Sequence, residues 1–285
     1  MRIAVAQSRG TEFKRGGDMQ LEKWAERRIL ILGMTYPSYS RKYLENVCTG
    51  GLDSETLQMV RLHPIPLRYM EEGSRFHSFQ WISARVMPHQ SDPRPESLRV
   101  EPDSIRVGQQ IPAAQMQERV RLLRKSPSRV RSVEELHALE KSEHRSLGIV
   151  QPKEITGIRL RPKTEADRRD WLRIERLLFR QQAMFGTPKR LDFPEVDFVV
   201  SWLCDDPTCK GHEKGLKKWD LHELYRKLKG DPMRDEKTLE MMRNQLNLKE
   251  REVFFFLGSF RRRMYQFGLM DTFSAPIERQ RSLFE

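Results

Sequence analysis

Cys204-Asp-Asp-Pro-Thr-Cys209-Lys-Gly-His212 gathers two thiols and an imidazole within nine residues, and uses two of the chain's three cysteines. A soft thiolate pair with a nitrogen donor at this spacing suits tetrahedral Zn2+. The fourth ligand is not dictated by the run: Asp220, His222 and a water are all candidates. A closed fourth position makes the metal structural. An open one leaves a Lewis acid with a bound water, and Asp205, Asp206 or Asp220 would then stand near it. The expectation is a structural Zn2+ clamp.

Arginines form the second set. Arg169, Arg173, Arg176 and Arg180 recur at helical spacing, so one helix face presents guanidinium groups a turn apart that can track phosphates. The competing reading is a solvated face paired by Glu165, Asp170 and Glu175. Arg124 and Lys125 belong to a further cluster with Arg119, Arg121, Arg129 and Arg131. Arg261-Arg262-Arg263 falls in a hairpin-like turn between two strands. Of the aromatics, Phe79, Trp81, Trp202 and Tyr265 have basic neighbours, though core positions suit Trp202 and the 254–256 phenylalanines better. Cys48 and His63 would form a nucleophile–base pair only if the fold made them neighbours.

The charge distribution locates the basic surplus. The 285 residues carry a formal net charge of +12. Residues 1–111 contribute +3, residues 112–190 contribute +9 and residues 191–285 contribute nothing. A local excess makes a positive face, which points to a polyanion. Three cysteines make no disulfide framework, the N-terminus lacks a signal-peptide apolar core, and no stretch is long enough to span a membrane. The expectation is a cytoplasmic protein without a membrane partner.

The elements that must position these residues follow from periodicity and turn chemistry. Asp18 is placed to cap a short helix over 19–28. Apolar or alternating runs at 28–35, 44–52, 58–63, 79–86 and 104–107 read as strands, with a proline-rich loop at 91–97. Helices are predicted over 113–125, from Ser132-Val-Glu-Glu135 to about 144, and from Thr164-Glu-Ala-Asp167 to about 185. In that last helix Trp171, Ile174 and Leu178 fall on one face. Strand character returns at 148–160 and 198–203. The chain then gives the Cys/Cys/His loop, helices at 219–229 and 235–246, and strands at 253–257 and 267–273.

Several stretches together resemble a bacterial group of dual OB-fold proteins found near mobile elements and anti-phage or other conflict systems. They are Val47-Cys-Thr-Gly-Gly51, Val60-Arg-Leu-His-Pro-Ile-Pro-Leu-Arg68, Arg94-Pro-Glu-Ser97, Ser146-Leu-Gly-Ile-Val-Gln-Pro-Lys153, the Cys204/Cys209/His212 run and Val253-Phe-Phe-Phe-Leu-Gly258. The likeness covers residues 28–275. It implies two five-stranded barrels in tandem and nucleic-acid binding, and no established reaction. The group carries an acidic residue after the tryptophan of the helix starting at Trp219, which Asp220 matches. His222 has no counterpart there.

The resulting expectation is an α+β chain of two OB-like barrels with helical insertions. An N-terminal extension (1–27) precedes a first β domain (28–111), a basic helical linker (112–147), a second domain with the metal loop (148–275) and a tail (276–285). Its expected role is a nucleic-acid-binding accessory subunit of a bacterial defence or mobile-element system, meeting DNA or RNA and other subunits. The alternatives are a metal-dependent nuclease or phosphodiesterase and a protein-binding adaptor with an acidic partner.

Overall fold

The computed structural model describes residues 24–40, 44–182, 189–261 and 263–278. The first half is built on β1 (Ala25–Met34), β4 (Thr49–Asp53), β5 (Met59–His63), β6 (Gln80–Pro88) and β7 (Ser97–Val100), with β8 (Arg106–Gln110) on the outside of β6. A small hairpin, β2 (Ser38–Ser40) and β3 (Leu44–Asn46), sits between β1 and β4. Pairing runs β1-β4-β5-β7-β6 and returns to β1 through Ala25↔Val86 to Leu30↔Trp81. The sheet is thereby a closed five-stranded barrel. β5 and β7 are parallel, and the other barrel pairs are antiparallel.

The described part of the predicted helix at 19–28 is strand instead. Residues 25–28 pair with β6, and the long-range ladder overrides local helical preference. Residues 19–23, 183–185 and the outer tail lie outside the described residues. The structure also forms β7 at the end of the predicted proline-rich loop, where no strand is expected.

α1 (Met116–Lys125), β9 (Arg129–Val130) and α2 (Val133–Glu143) lead into the second half. This contains β10 (Leu147–Val150), β11 (Pro152–Pro162), α3 (Glu165–Gln182), β12 (Val196–Cys204) and β13 (His212–Leu216). α4 (Trp219–Lys227), α5 (Arg234–Gln245), β14 (Arg251–Phe260) and β15 (Arg263–Pro276) complete it. The strands form one sheet in the order β11-β12-β13-β15-β14-β10-β9. Only Gln151 separates β10, which pairs with β14, from β11, which pairs with β12.

Both predicted capping motifs form. The Ser132 hydroxyl accepts the Glu135 amide at 3.0 Å, and Thr164 and Asp167 exchange side-chain-to-backbone bonds of 3.1 and 2.9 Å.

Strand alternation distributes β14 between two cores. Phe255 and Leu257 join Phe198, Val200 and Trp202 inside the second half. Phe254 and Phe256 face Leu30 and Leu32 of β1 across the seam between the halves. β1 in turn sends Ile29 and Ile31 into the first barrel. A strand buried on both faces has no polar side left, which explains the unbroken apolar run of β1. No described helix is long and apolar enough to cross a membrane.

Candidate functional site

Cys204 ends β12 and His212 begins β13, so the cysteine–histidine run is the hairpin joining two paired strands. The Asp206 carboxylate shapes it by accepting the Thr208 amide at 2.9 Å and the Thr208 hydroxyl at 2.7 Å. Gly211 turns the chain back at φ +95°, where a side chain would be strained. Asp206 also accepts from Ser132, the residue capping α2, at 2.9 Å. The loop is thus tied to the α2 N-terminus, and this tie brings in a residue that the spacing did not suggest.

That residue is Glu134. Its carboxylate, the two sulfurs of Cys204 and Cys209, and the His212 imidazole offer ligand atoms that all lie within 4.8 Å of one another. His212 Nε2 is 3.4 Å from Cys209 Sγ and 3.2 Å from Glu134 Oε1. Glu134 Oε2 is buried without a hydrogen-bond partner. Burial pushes the Cys204 thiol up to about 11, so a free thiol stays protonated until a cation displaces the proton. Two sulfurs, one nitrogen and one oxygen make a four-donor group that can hold a metal ion. The first turn of α2 adds the positive end of its dipole beside the carboxylate. The only sequence signal for Glu134 is its place in the capping box.

The expected fourth ligands are elsewhere. Asp220 is exposed on the first turn of α4. His222 is buried, with its ring 4.7 Å from both Tyr36 and Phe198. Neither belongs to the cluster. The physical reason is β13: four extended residues after His212, about 13 Å, carry the chain away before α4 begins. The carboxylates of the nuclease alternative are also engaged apart from the cluster. Asp206 holds the loop, and Asp205 is exposed 3.6 Å from Lys153.

His222 carries a pH prediction instead. Burial lowers its pKa from 6.5 to about 3, and lowers His63 to about 4. The unfolded chain therefore binds protons that the folded chain refuses, and stability falls as pH drops below about 6.5. The loss for His222 levels off below about pH 3. It should amount to a few kcal/mol by denaturant titration, and His222→Phe should flatten much of that acid limb.

The arginines separate into two kinds. Arg169, Arg173, Arg176 and Arg180 are all exposed on α3. Arg173 meets Asp170 at 3.2 Å and the Arg176 Nε donates to the Leu172 carbonyl, both surface contacts of little energetic weight. Trp171 and Leu178 turn inward, with Trp171 4.9 Å from the Tyr39 ring. Ile174, expected beside them, is 36% exposed, and Leu172 and Leu177 are exposed too. Arg261 and Arg263 are exposed at the β14–β15 turn, while Arg262 lies outside the described residues. Tyr265 beside them is 67% exposed.

Arg124 is different. Two of its nitrogens bond the Glu252 carboxylate at 2.9 and 2.6 Å, so it tethers α1 to β14 while staying exposed. Lys125 is exposed. Phe79 and Trp202 are core, and Arg28 stacks 4.6 Å over the half-buried Trp81.

A cavity of about 450 Å³ opens where the two halves meet. The β1–β4 connection contributes Tyr36 and Cys48, the β6–β7 connection His89 and Arg94, and the β11–β12 connection Lys163 and Trp171. Arg261 comes from the β14–β15 turn. Arg61 and His63 line it from β5. Cys48 and His63, each one residue beyond the Thr49↔Leu62 pair, both line this cavity.

Arg61 and Arg94 were not foreseen as site residues. Alternation in Val60-Arg-Leu-His63 suggests that Arg61 faces solvent, but the second half covers that side and leaves it 3% exposed.

A family model described as Domain of unknown function (DUF8758) matches residues 25–125, and one described as Domain of unknown function (DUF8757) matches residues 129–285. No curated protein matches the chain.

Proposed function

We propose that this chain, which belongs to the DUF8757 family, binds nucleic acid through the exposed arginines of α3 and the β14–β15 turn. The carrying observation is where those arginines sit. Taken in chain order, β1, β4, β5, β6 and β7 pair as one-two-three-five-four, with the third and fifth parallel. If β10 and β11 are one strand bent at Gln151, then β10/β11, β12, β13, β14 and β15 run in the same order. The third and fifth are again parallel there. Helical segments fill the third-to-fourth connection in both. This supports reading the chain as two OB-like barrels in tandem.

In such barrels the loops joining strands one and two, and four and five, bind oligonucleotides. In the second half those two connections hold α3 and the Arg261–Arg263 turn. The α3 arginines point away from Trp171, so a strand passes over the outer face of the helix. Tyr265 offers an exposed ring beside the turn for stacking. The resemblance to bacterial dual OB-fold proteins supports a role as an accessory subunit of a defence or mobile-element system.

The metal group fits the same picture as a clamp. Its two thiolates and imidazole favour Zn2+. All its ligands come from the β12–β13 hairpin and α2, none from the arginine-bearing connections.

Binding to random single-stranded oligonucleotides should weaken linearly in log–log fashion with salt, by about 0.7 per phosphate neutralised. Arg173→Glu with Arg176→Glu should reduce that slope by about 1–2 and weaken binding at least tenfold in low salt. A slope near zero in the unmodified protein would remove the proposal.

A further inference from the structure

The cavity between the halves has an electrostatic character of its own. Arg61 lies at its wall, 3% exposed. Its guanidinium donates to Ser97 Oγ at 3.1 Å, Ser146 Oγ at 3.0 Å and the Ser146 carbonyl at 3.4 Å, all neutral acceptors. Its Nε is buried with no hydrogen-bond partner. The Glu96 carboxylate is taken up by Ser146 and Leu147. A buried cation that meets no carboxylate directly is costly unless an anion joins it.

The surrounding charges do not cancel it. Arg94 is matched by Asp92 at 2.6 Å, both under a tenth exposed. Asp197, by contrast, serves Arg161, Lys163 and Lys217 at once, at 3.0, 2.8 and 3.1 Å. Arg261 adds another positive charge at the rim, anchored by donating to the Ser91 carbonyl. The cavity is therefore net positive at its wall and rim. Tyr36, Trp171 and Phe260 give it aromatic sides. Its volume of about 450 Å³ falls in the roughly 300–1,000 Å³ range of ligand pockets. His63 and His89, both held below the ordinary imidazole range mainly by burial, add polar groups without charge near neutral pH.

We propose that this cavity receives a phosphomonoester-bearing nucleotide, with the phosphate toward Arg61 and Arg261 and the nucleoside against the aromatic sides. A doubly charged phosphate matches the surplus, and Arg is suited to grip it through more than one oxygen. The nucleotide is either the phosphorylated end of a bound strand, which rests on the nucleic-acid reading above, or a free mononucleotide. The two share the chemistry and differ in what is attached.

The test compares one single-stranded 12-mer, as DNA and as RNA, bearing a 5′-phosphate, a 3′-phosphate or hydroxyl ends. Free nucleoside monophosphates form a separate arm. Cys48, half-buried on the cavity wall, reports occupancy through its rate of alkylation by iodoacetamide, read by mass spectrometry. One phosphorylated end should bind at least tenfold tighter than hydroxyl ends and slow Cys48 alkylation. The affinity ratio should collapse towards one in Arg61→Gln. Arg261→Gln, at an exposed turn, should shrink the same ratio and guards against misfolding of the buried variant. Equal affinity for all ends, with no protection of Cys48, overturns the pocket while leaving strand binding intact. Protection by free mononucleotides without any oligonucleotide binding keeps the pocket and removes the nucleic-acid reading. No binding and no protection in any arm overturns both.

Discussion

Removing the metal, or any of its four ligands, should lower the melting temperature by on the order of 10 °C. The purified protein should carry about one equivalent of zinc, measured by mass spectrometry of the metal. An ion that binds only the folded chain contributes about 4 kcal/mol when present a thousandfold above its dissociation constant. For a unit of this size each kcal/mol moves the midpoint by roughly 2–4 °C. The group joins the β12–β13 hairpin to α2, so its loss frees both the loop and the helix start. Glu134→Gln, Cys204→Ser and His212→Ala should each lose metal and melt early. Asp220→Asn and His222→Phe should keep it, because neither residue is in the cluster. Metal retained in Glu134→Gln but lost in Asp220→Asn would show that the ligands were assigned wrongly. Metal-free protein whose melting does not respond to added zinc would remove the clamp altogether.

The difference between the expected ligands and the four-donor group that the fold brings together shows what a sequence can carry. Cys204, Cys209 and His212 are legible because they are close in the chain and chemically rare. Glu134 is seventy residues away, and its carboxylate type is common; contacts such as Ser132–Asp206 and Arg131–Asp206 make it a neighbour. Asp220 and His222 were candidates for the fourth ligand because they follow His212 closely in the chain, but the strand between them carries them away. β13, His212–Leu216, is polar in sequence, yet it pairs with β12 from Phe198↔Leu216 to Trp202↔His212. The starts of α2 and α3 were legible because their caps are local. The strand at 25–28, the short β7 and the burial of Arg61 were not, since each depends on a partner distant in sequence. The exposure of the α3 arginines follows their helical spacing, whereas the Arg124–Glu252 tie joins residues 128 apart and has no local signal.

Lys218→Met should destabilise the protein by about 3–5 kcal/mol, because it strands a charge at the seam between the halves. Asp271 on β15 is 3% exposed. Burial pushes its pKa up, and Lys218 pulls it back down. The Lys218 Nζ donates to Asp271 Oδ1 at 2.7 Å and to the Thr272 carbonyl at 2.8 Å. Asp271 packs against Gly33 of β1, where a Cβ on the glycine would collide with the carboxylate. The pair therefore fixes β15 against the first barrel. Adding Asp271→Asn to Lys218→Met should recover much of the loss, since a neutral amide leaves no uncompensated charge; a double-mutant cycle by denaturant titration measures this. Their chain neighbours Met270 and Lys217 line the cavity, so the seam and the pocket share a wall. Affinity for a phosphorylated strand end should accordingly fall in Lys218→Met and return with stability in the double variant. Recovery of stability without recovery of that affinity would mean that Lys218 serves the pocket through its charge and not through the seam.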